Sequence, residues 1–181
     1  MRYLPLLFAL LIASCNNDDP SLRFGAPVPQ IPFTIDAGLS TFDSHFYNFV
    51  DIPTRIDSIA SSRNFNLNDA EAIRPAQARI EALFGGADYS FAREMSIRIC
   101  SEAEAELLRN GEPEQCDREI FWRNPIPNNT GGQLDFVPNE NNLKDALIGN
   151  TATFQLKIVA PLFRSPDQFI ESRLLLEFAV F

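Results

Sequence analysis

The chain is 181 residues long, with 24 acidic against 15 basic residues (net charge −9), 45% apolar residues, one histidine, three cysteines and 16 phenylalanines. That apolar share suits a globular domain rather than a disordered chain, and the length suits one domain plus a targeting segment. The acidic balance argues against nucleic acid and against charge-driven binding to anionic membranes, since no basic surface is left to displace counterions; a lone histidine, His45, excludes a His-x-x-x-His zinc site.

At the amino terminus Arg2 is a one-residue positive region and Leu4 to Ile12 an apolar one. The apolar run is too short for a permanent span, which needs about 20 residues, and it fits a secretory signal. Ile12-Ala13-Ser14-Cys15 then supplies an aliphatic residue, two small ones and a cysteine. This run resembles the lipobox of bacterial lipoproteins. The resemblance implies that the Cys15 thiol is diacylglycerated, that residues 1–14 are cut away, and that the new terminus is acylated as well. Two or three acyl chains would anchor the protein stably. Asn16-Asn17-Asp18-Asp19-Pro20 resembles the acidic tether of Bacteroidota-type outer-membrane lipoproteins; a plain solvated linker is the other reading. In enteric bacterial lipoproteins an aspartate directly after the cysteine favours retention at the inner membrane; the resemblance, with Asn16 at that position, therefore implies the outer membrane. Cleavage removes Arg2 alone among charged residues, leaving 24 acidic against 14 basic, or −10.

The proline-rich stretch to Pro32 predicts a flexible tether over 15–32, followed by one domain over 33–181. Phe33 to Asp36 opens the first strand, and His45 to Ile52 forms another, with a helix through Phe42, Phe46 and Phe49 as its rival. Thr54 to Arg63 predicts a short helix behind Pro53. Residues 70–84 are ambiguous. Ala76, Ala78, Ile80, Ala82 and Phe84 would share one face of a strand, whereas the alanine content suits a helix; Pro75 tips the reading to strand.

Met95 to Cys100 alternates as a strand, and Ser101 with Glu104 spells a capping box that starts a helix ending at Asn110-Gly111. Cys116 precedes a second strand, Glu119 to Trp122. With Cys15 acylated, Cys100 and Cys116 are an even pair in an oxidising compartment, so a disulfide stapling the helical excursion is expected. Residues 124–132 are a loop, Gln133 to Val137 a strand, and Asn142 to Ile148 a short helix or turn. Two runs with a period of two follow, one through Phe154, Leu156, Ile158, Ala160 and Leu162, the other through Leu174, Leu176, Phe178 and Val180.

Eight or so short strands with proline- and glycine-rich turns predict a mainly β fold, an antiparallel β-sandwich with short helical insertions. An outer-membrane barrel is the alternative all-β reading, less suited to helical interruptions. No nucleophile elbow or phosphate loop is spelled. Asp43, Ser44 and His45 are adjacent on a strand and cannot form a relay together. Glu102, Glu104 and Glu106 read as a solvated helix face, and Asn139 to Asn142 as an oxygen-rich loop rather than a calcium site. Trp122 and Tyr89 are the candidate sugar-stacking platforms. The expectation is a lipid-anchored cell-envelope protein, on the outer membrane and facing the periplasm or the outside. It is read as a non-enzymatic structural or interaction module with no cofactor, held to the membrane by Cys15 and meeting an envelope protein or glycan. A surface carbohydrate-binding or adhesin-like module is the alternative, and a carboxylate-dependent hydrolase a third reading.

Overall fold

The computed structural model describes residues 21–112, 115–149 and 151–181. The signal, Cys15 and the residues just after it lie outside them. Among the described residues, period-two patterning builds nine strands: β1 (Phe24–Pro27), β2 (Ile31–Ile35), β3 (His45–Pro53), β4 (Ile73–Ala82), β5 (Glu94–Ile99), β6 (Arg118–Arg123), β7 (Gln133–Pro138), β8 (Thr151–Val159) and β9 (Ile170–Val180). Three short helices interrupt them, α1 (Ile56–Ser62), α2 (Glu102–Arg109) and α3 (Lys144–Leu147). The strongest alternation gives the longest strand. β9 buries Ile170, Ser172, Leu174, Leu176, Phe178 and Val180 and turns the residues between them the other way.

All pairings are antiparallel, in the order β1-β9-β4-β7-β6-β5-β8-β3, with β2 following β1 along the same edge of β9. The sheet folds over at β7, whose first residues pair with β4 and whose last two, Val137 and Pro138, pair with β6. Two layers result, the sandwich that the alternation predicts. Phe178 of one layer stacks on Phe154 of the other at 6.1 Å and meets Phe121 at 6.3 Å. Such ring pairs add to the burial that holds the layers together. At the open side, Phe33 of β2 lies 5.8 Å from the Tyr47 ring and 5.5 Å from the Phe49 ring of β3. A seam of aromatic side chains therefore brings the two outermost strands together.

Two sequence readings change. The tether expected over 15–32 gives way to structure from Phe24 onward: Phe24, Ala26, Val28 and Ile31 are buried, and β1 and β2 pair along β9. The prolines that suggested a linker also favour an extended backbone, and an edge strand can spare the N–H groups they lack. Residues 73–82 are a strand, but with a bulge between Pro75 and Gln77. The extra residue, Ala76, is exposed, and Ile73 and Pro75 come onto the buried face with Ala78 and Ile80. The face expected to run through Ala76 and Phe84 therefore holds only around Ala78 and Ile80.

Up-and-down strands sort the connections into two groups. At one end lie the β3–β4, β5–β6 and β7–β8 connections with α1, α2 and α3, beside residue 21 and Phe181; we call this the helix end. At the other lie the loops 36–44, 83–93, 124–132 and 160–169, the loop end. β9 spans the distance between them, about 35 Å for eleven residues.

Candidate functional site

At the helix end, α2 begins as its sequence dictates. The Ser101 hydroxyl accepts from the Glu104 amide, and the Glu104 carboxylate accepts from the Ser101 amide at 2.6 Å. Glu104 also accepts from the Asp117 amide at 2.8 Å, which ties the start of the excursion to its end. Burial acts to raise the Glu104 pKa, but the hydrogen bonds from Ser101 and Asp117 outweigh it and hold the carboxyl below its ordinary value. Cys100 and Cys116 form the expected disulfide, with Cα atoms 4.6 Å apart.

With Ala105, Leu108 and the half-buried Val50, the two cysteines make a second small core on the outer face of the β3–β8 layer. It covers Thr153 and Gln155, which alternation alone would leave in solvent. Their polarity is met inside: Gln155 donates to Asn48 Oδ1 at 2.7 Å and accepts from the Cys116 amide at 3.2 Å, and Thr153 accepts from the Asp51 amide at 3.4 Å. A groove of about 320 Å³ runs between α2, the α3 turn and the start of β8. Its charges are already engaged. Arg109 bonds Asp51 at 2.8 Å, Glu102 at 2.8 Å and Glu106 at 3.0 Å, while Arg118 holds Asp145 at 2.8 Å and keeps its carboxyl below the ordinary range.

The loop end is stitched together by backbone and side-chain bonds across all four loops. The Leu162 amide donates to the Thr41 carbonyl, and the Phe163 amide to that of Phe91, both at 2.9 Å; the Gly38 amide donates to the Pro166 carbonyl and the Ser165 hydroxyl to that of Leu39. The Ile126 amide reaches the Arg93 carbonyl at 3.0 Å. Asp88 is the hub. Its carboxylate accepts from the amide and hydroxyl of Ser90 and from the amide and hydroxyl of Thr130, with Arg164 at 3.7 Å. Partial burial would raise its pKa, yet these bonds outweigh that and hold it low. Tyr89 is wholly buried with its hydroxyl 3.0 Å from Ser172 Oγ, and burial pushes that hydroxyl up to about 12.

Against this ordered frame, Phe42 is 88% exposed, Phe84 69%, Phe169 66% and Phe163 64%. Each sits on a loop tied to its neighbours through the backbone: the Leu162 amide donates to the Thr41 carbonyl, and the Leu83 amide to the Glu171 carbonyl. Sequence reading missed these four as a group. The available signal was a phenylalanine set among turn formers, as in Phe84-Gly85-Gly86 and Phe163-Arg164-Ser165-Pro166, where no period of two buries it.

The remaining candidates are scattered. Tyr89 is inaccessible and so is no stacking platform, whereas Trp122 on β6 is 37% exposed beside the equally exposed Val137. His45 Nε2 lies 2.8 Å from the Ser40 carbonyl, the Asp43 carboxylate accepts from the Ser40 hydroxyl, and the Ser44 hydroxyl accepts from the Ala160 amide, so each serves the loop end separately. In the oxygen-rich loop, Asn139 and Asn141 donate to the Glu119 carbonyl, and Asn142 accepts from the Ile73 amide. Among the described residues, no three His, Cys, Asp or Glu side chains gather as a group that could hold a metal ion. No helix there is long and apolar enough to cross a membrane. No protein-family model matches the chain, and no curated protein is significantly similar to it.

Proposed function

We propose that this protein is a lipid-anchored component of a bacterial outer membrane, acylated on Cys15, whose β-sandwich is a non-enzymatic interaction module. The observation that carries the reading is the run Ile12-Ala13-Ser14-Cys15 directly after a nine-residue apolar stretch. The domain suits such a role in its layout. The chain enters at the helix end, beside Phe181, and the exposed phenylalanines project from the far end. The carboxylates that line the helix-end groove, Glu102 and Asp145, are both held by arginines, which favours a structural over a hydrolytic use. The exposed aromatic loops also keep an adhesin-like role open as a second reading, though the carbohydrate version loses Tyr89 to the core.

Feeding the producing cells an alkyne analogue of palmitate tests the anchor. The wild-type chain should take up the label, and Cys15→Ala should lose it. A wild-type chain without label, or a labelled Cys15→Ala chain, overturns the assignment.

A further inference from the structure

We propose that the outer face of the β1-β9-β4 layer holds a binding site for a short alkylammonium ion, built around Glu177. The inference stands apart from the lipid anchor. Three departures from regular strand structure meet at this residue. The bulge in β4 takes Ala76 out of the ladder and sets Gln77 opposite Glu177, the place that Ala76 would hold in unbroken pairing. On the other side of β9, four residue steps from Pro27 to Ile31 run against three from Glu177 to Leu174, so the edge carries an extra residue there as well. On β1, a Cβ at Gly25 would collide with Glu177 Oε1, so glycine leaves the carboxylate room to lie where it does. Bulges and strand glycines weaken the ladder they interrupt; what they supply is a re-aimed side chain and space for a close approach.

The space here is a cavity of about 270 Å³. Leu175, Val28 and Pro27 line it with apolar surface, and Glu177, Gln77 and Gln30 with polar groups. Among the described residues, no side chain pairs with that of Glu177 or Gln77. Gln30 Oε1 accepts one bond, from Arg173 at 3.1 Å, and keeps a second lone pair. Arg79, the cation on the wall, bonds Asp135 and faces Glu81 at 3.6 Å, while Arg173 bonds Glu81 at 2.7 Å. Around the cavity Glu81, Asp135 and Glu177 therefore stand against Arg79 and Arg173, and the carboxylate left without a cation is Glu177.

The ligand that this lining fits is a cation on an apolar stem. An ammonium group has three N–H donors, and the wall offers three acceptors: the Glu177 carboxylate and the side-chain carbonyls of Gln77 and Gln30. A short alkyl stem covers Leu175 and Val28. The volume lies just below the range of roughly 300–1,000 Å³ usual for ligand pockets, which suits a ligand of this size rather than a nucleotide. A second copy of the chain does not supply the ammonium. Both of its lysines are engaged, Lys144 with the Asn68 and Ala70 carbonyls and Lys157 over the Phe46 ring at 5.4 Å.

The mature chain with Cys15→Ser, exported behind an ordinary secretory signal and isotopically labelled, tests the site by NMR titration at neutral pH. Pentylamine should shift the Leu175 methyl and Gln77 side-chain amide signals with a Kd of about 1 mM or tighter. Pentanol, which has the stem without the charge, should bind at least tenfold more weakly, and pentanoate should leave the signals in place. Glu177→Gln should raise the Kd for pentylamine at least tenfold at an unchanged melting temperature, since the carboxylate it removes holds no partner in the folded chain. Gly25→Ala keeps the carboxylate but displaces it, and should weaken binding in the same way. Nα-acetyl-lysine amide separates the sources of the ligand: affinity equal to that of pentylamine admits a lysine side chain, and a tenfold loss restricts the site to free amines, each in keeping with the proposal. Signals unmoved by pentylamine at about 20 mM overturn it, as does pentanol binding as tightly as pentylamine, or pentylamine binding indifferent to both variants.

Discussion

The two ends of the sandwich are held by opposite means. The helix end departs furthest from plain β patterning, and it is fastened by a covalent link, a capped helix and arginines set among carboxylates. The loop end has no helix and no disulfide; hydrogen bonds converging on Asp88 and bonds between loop backbones fix it. The contrast extends to the surfaces. The strongly fastened end is acidic and polar, while the end fixed by hydrogen bonds presents bare aromatic rings. Fixing a loop by buried polar bonds leaves its side chains free to face outward, whereas a helical insert must bury its own apolar stripe, here Ala105 and Leu108, to stay in place.

Breaking the covalent link should have the largest effect. The disulfide closes a loop of 16 residues, so Cys100→Ser with Cys116→Ser is expected to lower stability by about 3 kcal/mol in the chain-entropy model. Chemical denaturation reads the total. Hydrogen exchange should assign the loss to α2 and the start of β6, with the Tyr89 and Thr130 amides still protected. Equal loosening of both ends would mean that they do not behave as separate units.

The reciprocal change is Asp88→Asn. The amide oxygen can keep the three bonds made at Oδ1, but the Ser90 hydroxyl loses its acceptor at Oδ2 and the remaining bonds lose their charge. A cost of roughly 1–3 kcal/mol is expected. Because the folded state holds the Asp88 carboxyl below its ordinary pKa, its contribution is complete above about pH 4 and is lost as pH falls through the folded value. Acid should therefore free the Tyr89 and Thr130 amides to exchange, and Asp88→Asn should reproduce that at neutral pH. Wild-type protection that persists in the variant would remove Asp88 from its place as the hub.

How far each end was legible in the sequence follows from the range of the interactions that build it. Ser101 to Gly111 could be read residue by residue, because a capping box, a helix stop and a cysteine pair are local signals. The inner faces of β8 and β9 were legible for the same reason. What escaped depends on partners distant in sequence. Phe24 to Ile31 reads as linker until the edge of β9 is there to pair with it. Thr153 and Gln155 read as solvent-facing until α2 covers them, and the bulge at Ala76 moves a buried face by one residue with no change in composition. Phe42, Phe84, Phe163 and Phe169 escaped because a phenylalanine is assigned to a core by default, and only the closed sandwich shows that there is no room left for these four.

Removing the cap isolates a smaller share of the helix end. Ser101→Ala takes the acceptor from the Glu104 amide and should cost about 1 kcal/mol. Glu104 would keep its bonds from the Ser101 and Asp117 amides, so the loss should stay well below that of the disulfide. A loss as large as the disulfide's would show that the cap, rather than the covalent link, carries this end.

The smallest effect is expected on the outer face of β4 and β7, between the two ends. Arg79 bonds Asp135 across the strands, with Glu81 at 3.6 Å and Arg173 on the far side of Glu81. The ladder has good geometry, but Asp135 is 61% exposed and Arg79 32%. Solvent screens such a pair, and fixing two long side chains offsets most of the attraction. A double-mutant cycle of Arg79→Ala and Asp135→Ala should therefore return a coupling of about 0.2–1 kcal/mol, smaller still in high salt. Neither the Asp88 hub nor the α2 insert touches these residues, so hydrogen exchange at both ends should be unchanged. A larger coupling, or one that loosens either end, would mean that the charged ladder transmits strain along the sheet, and the two ends could no longer be treated as independently held.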